Sequence, residues 1–122
     1  MSDFVVKDSG KRIDYPSGMR RDVNDGKPRY TLIERNFLYR IAMHLTKGAV
    51  KYGDNNWQLA NSEEEFKRFQ ESAFRHMIQW LNDERDEDHM AAVCFNLMAA
   101  EFVRAKLPAK KDEEFYVVHK EI

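Results

Sequence analysis

The sequence predicts an all-α fold: a small helical bundle of three to four core helices behind a long N-terminal loop, assembling as an oligomer. Three observations carry this. Apolar residues recur at helical spacing in three successive segments, each bounded by cap and stop signals. The first 30 residues are instead dense in turn formers: Gly10, Pro16, Gly18, Gly26 and Pro28. The last of the three segments is apolar nearly all round from Ala91 to Ala100, the mark of a central helix or a subunit interface.

Taken in order, residues 1–30 read as a basic loop or arm carrying Lys11, Arg12, Arg20, Arg21, Lys27 and Arg29. The first helix runs from about Thr31 to Val50, with Leu38, Ile41, Ala42, Leu45 and Ala49 on its apolar side. Thr31 with Glu34 forms a capping-box pattern at its start, and Gly48, Gly53 and Asp54-Asn55-Asn56 stop it. The second helix starts at a cap, Asn61 or Ser62, followed by Glu63–Glu65, and its apolar stripe is Phe66, Phe69, Ala73, Met77 and Trp80. The third runs from about Glu87 to Lys106 and ends before Pro108. Residues 31–107 make the helical core of a single domain spanning 1–122. Residues 108–122 are a charged tail in which Phe115-Tyr116-Val117-Val118 reads as a short strand or clasp.

Composition narrows the function. At 43% hydrophobic and 34% charged the chain is globular, and a net charge of −1 argues against a general nucleic-acid binder and a stable nucleic-acid partner. The lone cysteine, Cys94, leaves no disulfide framework and no zinc cluster. With no apolar leader and no stretch of membrane-spanning length, a cytoplasmic location without a membrane partner is expected.

The run Glu84-Arg85-Asp86-Glu87-Asp88-His89 places four carboxylates and a histidine at the start of the third helix. Such acids repel one another unless a cation holds them. On a helix His89 and Asn96 share a face roughly 10 Å apart, and Asp86 points to a similar side. This reads as a hard-metal site, with Asp86, Asp88 and His89 as ligands and Asn96 as a supporting or base-reading donor deeper in. The plainer alternative is a helix cap at Asp86 or Asp88. His76, flanked by Ser72 and Gln79, is either a satisfied core histidine or a further ligand. Arg75 is either a phosphate contact or the partner of Glu71. The segment Lys47 to Trp57 mixes lysines, glycines and aromatics suited to a phosphate and a base, or simply ends a helix with a tucked-in tryptophan. No P-loop, zinc-protease or nucleophilic-triad pattern occurs. An enzyme acting on a phosphorylated substrate is the leading reading.

Five blocks in order then become recognisable: Gly18-Met19-Arg20-Arg21-Asp22; Gly26-Lys27-Pro28-Arg29-Tyr30; Lys47 to Trp57; Ser72-Ala73-Phe74-Arg75-His76; and Asp86 to Asn96. Their order and spacing resemble the phage dATP/dGTP diphosphohydrolases (MazZ), relatives of the MazG-like all-α nucleotide pyrophosphohydrolases, over about Ser17 to Glu101. The resemblance implies metal-dependent cleavage of dGTP and dATP to the monophosphate and pyrophosphate, in phage nucleotide pools remodelled for 2-aminoadenine DNA. It also implies a homo-oligomer (dimer or tetramer) in the host cytoplasm and a divalent ion, Mg²⁺ with Mn²⁺ or Co²⁺ as substitutes. The chain departs from MazG relatives, whose paired helices carry ExxE and ExxD, whereas the matching helices here carry Arg75-His76 and His89/Asn96. It also has Asn82-Asp83 where related sequences often place a glycine, which leaves open whether Asp83 or Glu84 faces the metal.

The expected metal set is accordingly His76, Glu84, Asp86, Asp88 and His89, with Glu84, Asp88 and His76 catalytic. Lys27, Arg29, Lys47, Lys51, Trp57, Arg75 and Asn96 are the expected substrate contacts. A non-catalytic nucleotide- or metal-binding regulatory module is the alternative, and a small DNA-associated phage protein a weaker one.

Overall fold

The structure, a computed structural model, describes residues 4–109, so the expected strand or clasp at Phe115–Val118 lies outside the described residues. The chain divides into two compact units between Leu32 and Ile33.

The N-terminal unit corrects the expectation of a plain loop. It contains a two-stranded antiparallel ribbon, β1 (Arg12–Asp14) and β2 (Arg20–Asp22). The turn formers create it: Gly18 N–H donates to Tyr15 O at 2.9 Å, placing Pro16 second and Gly18 fourth in the turn. Because side chains alternate along a strand, Arg12, Asp14, Arg20 and Asp22 share one face, and the register sets Arg12 opposite Asp22 and Asp14 opposite Arg20. Arg20 Nε lies 2.6 Å from Asp14, and Arg12 lies 2.7 Å from Asp8 and 3.4 Å from Asp22. The turn and the backbone ladder set the ribbon's register, and its exposed face carries charge pairs in place of apolar burial. A short 3₁₀ turn at Tyr30–Leu32 ends the unit.

The second unit is helical: α1 (Arg35–Tyr52), α2 (Glu63–Leu81) and α3 (His89–Arg104). α1 starts later than expected. Thr31 is wound into the 3₁₀ turn, and Glu34 is the cap instead, its carboxylate accepting from Phe37 N–H at 2.5 Å. Gly48 does not stop the helix, since one interior glycine costs only about 1 kcal/mol. Gly53 does: its φ of +91° suits a residue without a Cβ, and its N–H closes on Ala49 O at 2.8 Å.

Ser62 caps α2 by accepting from Glu65 N–H, while the Glu65 carboxylate accepts from Asn61 N–H and the Ser62 hydroxyl. The buried stripe of α2 is Phe66, Ala73 and His76, with Phe69 and Met77 half-buried. Trp80 leaves that stripe, remaining 49% exposed where the helix nears its end.

α3 is the element on which the other two pack, most extensively α2. Its seam His89, Ala92, Asn96, Ala99 and Val103 recurs every three to four residues and is buried throughout. Four of its buried residues are alanines, which lets a neighbouring backbone come close. Leu97 and Met98 on its other side are exposed. Toward the far end of the bundle from His89, Ala60, Phe66, Ala100 and Val103 form an apolar cluster with Phe69 and Leu107 against it. Trp57 stands edge-on to Phe95 and Phe102, with ring centroids 5.8 and 5.2 Å away.

Candidate functional site

The connection between α2 and α3 builds the site. Past Leu81 the chain makes a Schellman turn, in which Glu84 N–H donates to Gln79 O and Asp83 N–H to Trp80 O, each at 3.0 Å. The residue at the left-handed position of that turn is Asp83, with φ +58°. This is the place where a glycine would be at ease, and it settles how the two neighbouring acids differ. Asp83 turns its carboxylate to Arg85 Nε at 2.9 Å, whereas Glu84 converges with Asp86 and His89.

One donor atom from each of Glu84, Asp86 and His89 lies within 4.8 Å of the others. Asp86 Oδ1 is 2.8 Å from His89 Nε2, a contact that holds the Asp86 carboxyl below its ordinary pKa. His89 itself is 2% exposed, so a buried nitrogen meets two exposed carboxylates at the surface. On its other side His89 Nδ1 lies 2.9 Å from His76 Nδ1, and the two imidazoles stack obliquely with centroids 5.1 Å apart. Burial, then the nearby Arg75 charge, lowers the His76 pKa.

Of the five expected ligands, three thus converge. Asp88 is occupied otherwise: its oxygens accept from Arg40 Nε and Nη2 at 2.8 and 2.7 Å and from Ala91 N–H at 3.1 Å. It ties α1 to the start of α3, and the Arg40 pairing pulls its pKa down to about 2. His76 stands behind His89, not among the convergent donors.

One cleft is lined by this cluster, and a second borders the first. The first, about 550 Å³, is lined by Arg40, Lys47, Trp80 and the acidic run. The second, about 850 Å³, is lined by His44, Lys51, Asn55, Trp57, Phe69 and Phe95. Lys47 and Glu87 line both, so the clefts meet there.

The remaining expected contacts scatter. Lys47, Lys51 and Trp57 sit on the clefts. Asn96 is buried and donates to Ala92 O at 2.8 Å, within its own helix. Arg75 is exposed and lines neither cleft; its suggested partner Glu71 is 3.9 Å from Arg68 instead, and Arg75 makes no ion pair among the described residues. Lys27 and Arg29 belong to the N-terminal unit, where Lys27 is 3.9 Å from Asp22.

Among the cleft residues that the sequence reading did not single out are Arg40 and His44. They recur with Lys47 and Lys51 at helical spacing, a polar stripe along α1 that the apolar period masked. His44 packs against Phe95 at 5.3 Å, and burial lowers its pKa.

A family model described as dATP/dGTP diphosphohydrolase, N-terminal, matches residues 17–113. The chain belongs to this family. The matched stretch takes in β2, all three helices and every residue of the convergent cluster. No curated protein and no solved structure gives a significant match. No helix among the described residues is long and apolar enough to cross a membrane.

Proposed function

We propose that the chain hydrolyses dATP and dGTP at the α–β linkage, releasing the deoxynucleoside monophosphate and pyrophosphate with the help of a divalent cation. The observation that carries this is the pair of clefts meeting at Lys47 and Glu87, one with convergent acidic and imidazole donors, the other walled by aromatics. A triphosphate needs the first and a purine the second.

The donor set fits a divalent ion. Two carboxylates suit Mg²⁺ or Mn²⁺, and one imidazole leans toward Mn²⁺ or Co²⁺. Glu84, Asp86 and His89 would hold the cation, which when bound neutralises phosphate charge and acidifies water. Arg40 and Lys47 add positive charge on the wall of the same cleft, and Lys51 does so on the second. Trp57 and Phe95 offer ring surfaces to the base, with the Asn55 amide beside them for its polar edge. At the junction Glu87 makes no ion pair or side-chain hydrogen bond among the described residues, so its carboxylate is available to take the proton of the attacking water. As that water's oxygen joins phosphorus, the bridging P–O bond breaks and pyrophosphate leaves.

Exposed Phe74 (71%), Leu97 (53%) and Met98 support a homo-oligomer. The cellular role that fits is depletion of dATP and supply of dGMP in a phage that builds 2-aminoadenine into its DNA.

The test is turnover of each deoxynucleoside triphosphate with Mg²⁺ or Mn²⁺, products separated by ion exchange. Monophosphate with pyrophosphate is expected. Diphosphate with orthophosphate would reject the α–β cleavage, and nucleotide-dependent thermal stabilisation without turnover would leave a binding module.

A further inference from the structure

The imidazole pair beneath the carboxylates has more to do than fill space. Two Nδ1 atoms 2.9 Å apart need one proton between them, since two would clash and none would leave lone pairs facing. His89 Nε2 meanwhile faces Asp86 Oδ1 at 2.8 Å, and a carboxylate only accepts. In the absence of a cation these contacts admit one arrangement of the neutral rings: His89 carries its proton on Nε2 and gives it to Asp86, and His76 donates Nδ1–H to His89. A cation on the cluster demands the reverse, because the His89 nitrogen beside Asp86 must then offer a lone pair.

We propose that His76 is a positioning residue that exchanges tautomer with His89 when a divalent cation binds. The exchange balances. His76 passes its Nδ1 proton to His89 along the 2.9 Å line, His89 releases its Nε2 proton to water beside the exposed Asp86 carboxylate, and His76 takes one from water on Nε2. Neither ring changes charge, so a buried site meets no uncompensated imidazolium. Packing assists, because His76 is 8% and His89 2% exposed and the rings contact obliquely at 5.1 Å, so neither is at liberty to swing aside. The inference rests on the reading of Glu84, Asp86 and His89 as the cation's donors.

The experiment uses the full chain with ¹⁵N-labelled histidine, comparing two-bond ¹H–¹⁵N spectra without metal and with saturating Mg²⁺, and Mn²⁺ affinity from electron paramagnetic resonance. His89 should read as the Nε2–H tautomer without metal and the Nδ1–H tautomer with it, His76 changing reciprocally. His76→Phe keeps a ring but no acceptor and should weaken Mn²⁺ binding roughly ten- to hundredfold. His76→Asn places an amide oxygen near the lost Nδ1 and should recover most of that affinity, whereas His76→Gln, reaching toward the Nε2 position, should not. The same His89 tautomer in both spectra would overturn the proposal. So would equal loss in the Phe and Asn variants, or Mn²⁺ binding undiminished by His76→Phe. No Mn²⁺ binding by the parent chain would sink it together with the cation reading. Binding with the tautomer exchange but without triphosphate turnover would uphold it while removing the hydrolase.

Discussion

Removing the Asp88 carboxylate while keeping its shape separates two roles the side chain fills. It accepts from Ala91 N–H as the cap of α3, and it receives both Arg40 nitrogens from α1. Asparagine caps as well as aspartate, so Asp88→Asn loses only the charged pairing, while Asp88→Ala loses both. The pair is bidentate but its partners are 45% and 36% exposed, so solvent screens it to roughly 0.5–1 kcal/mol. The cap adds about 1 kcal/mol. Asp88→Asn should therefore cost about 0.5–1 kcal/mol and Asp88→Ala about 1.5–2, with Tm falling by roughly 4 °C per kcal/mol in a chain of this length. Urea unfolding of the single variants, Arg40→Met and the double variant gives the coupling. Arg40's influence on Asp88 fixes the pH window. The folded pKa falls from 3.8 to about 2, so the pairing stabilises fully above about pH 4 and fades as pH drops through 2. The gap between parent and Asp88→Asn should narrow over that range. A variant pair of equal cost, zero coupling with Arg40, or an Asp88→Asn gap unchanged down to pH 3 would refute the reasoning. Because the Asp88 oxygens are already engaged, Asp88→Asn should also keep Mn²⁺ binding close to that of the parent.

Other outcomes follow from the same geometry. Asp86→Asn, which keeps the side chain's size, should weaken Mn²⁺ binding at least tenfold and lower triphosphate turnover, with unchanged helicity by circular dichroism as the control. Asp83→Gly should raise stability by about 0.5–1 kcal/mol in urea unfolding, because φ +58° strains a residue with a Cβ. Ser62→Ala should cost about 1 kcal/mol and lower Tm by roughly 4 °C, since Glu65 N–H loses its acceptor at the start of α2. Lys47→Ala should raise KM for a triphosphate far more than Kd for the monophosphate, the lysine sitting where the two clefts meet.

What the sequence disclosed was mostly local. Ser62 with Glu65, Pro108 and the period of α3 mark two helices because caps, stops and apolar spacing act within a few residues. The acidic run marks a candidate site for the same reason. The choice among its acids was not legible, because it depends on where the chain bends. Only the Schellman turn shows that Asp83 points to Arg85 while Glu84 joins Asp86 and His89. Asp88 looks in the sequence like the acids beside it, because its partner Arg40 lies 48 residues away on another helix. Arg40 and His44 went unnoticed because a polar stripe on a half-exposed helix looks like ordinary solvated surface until the element facing it is known. The ribbon was hidden because strands of three residues leave too little alternation to register against turn formers.

That ribbon gives the chain two kinds of cohesion with opposite temperaments. Its side chains meet across the strands in arginine–aspartate pairs at the surface, whereas α2 and α3 rest on apolar burial. Concentrated electrolyte shortens the reach of surface charge to about 3 Å at 1 M, and salting-out anions such as sulfate strengthen burial. Ionic strength therefore tunes the two parts in contrary directions: what firms the helices slackens the N-terminal ribbon, and a dilute buffer does the converse.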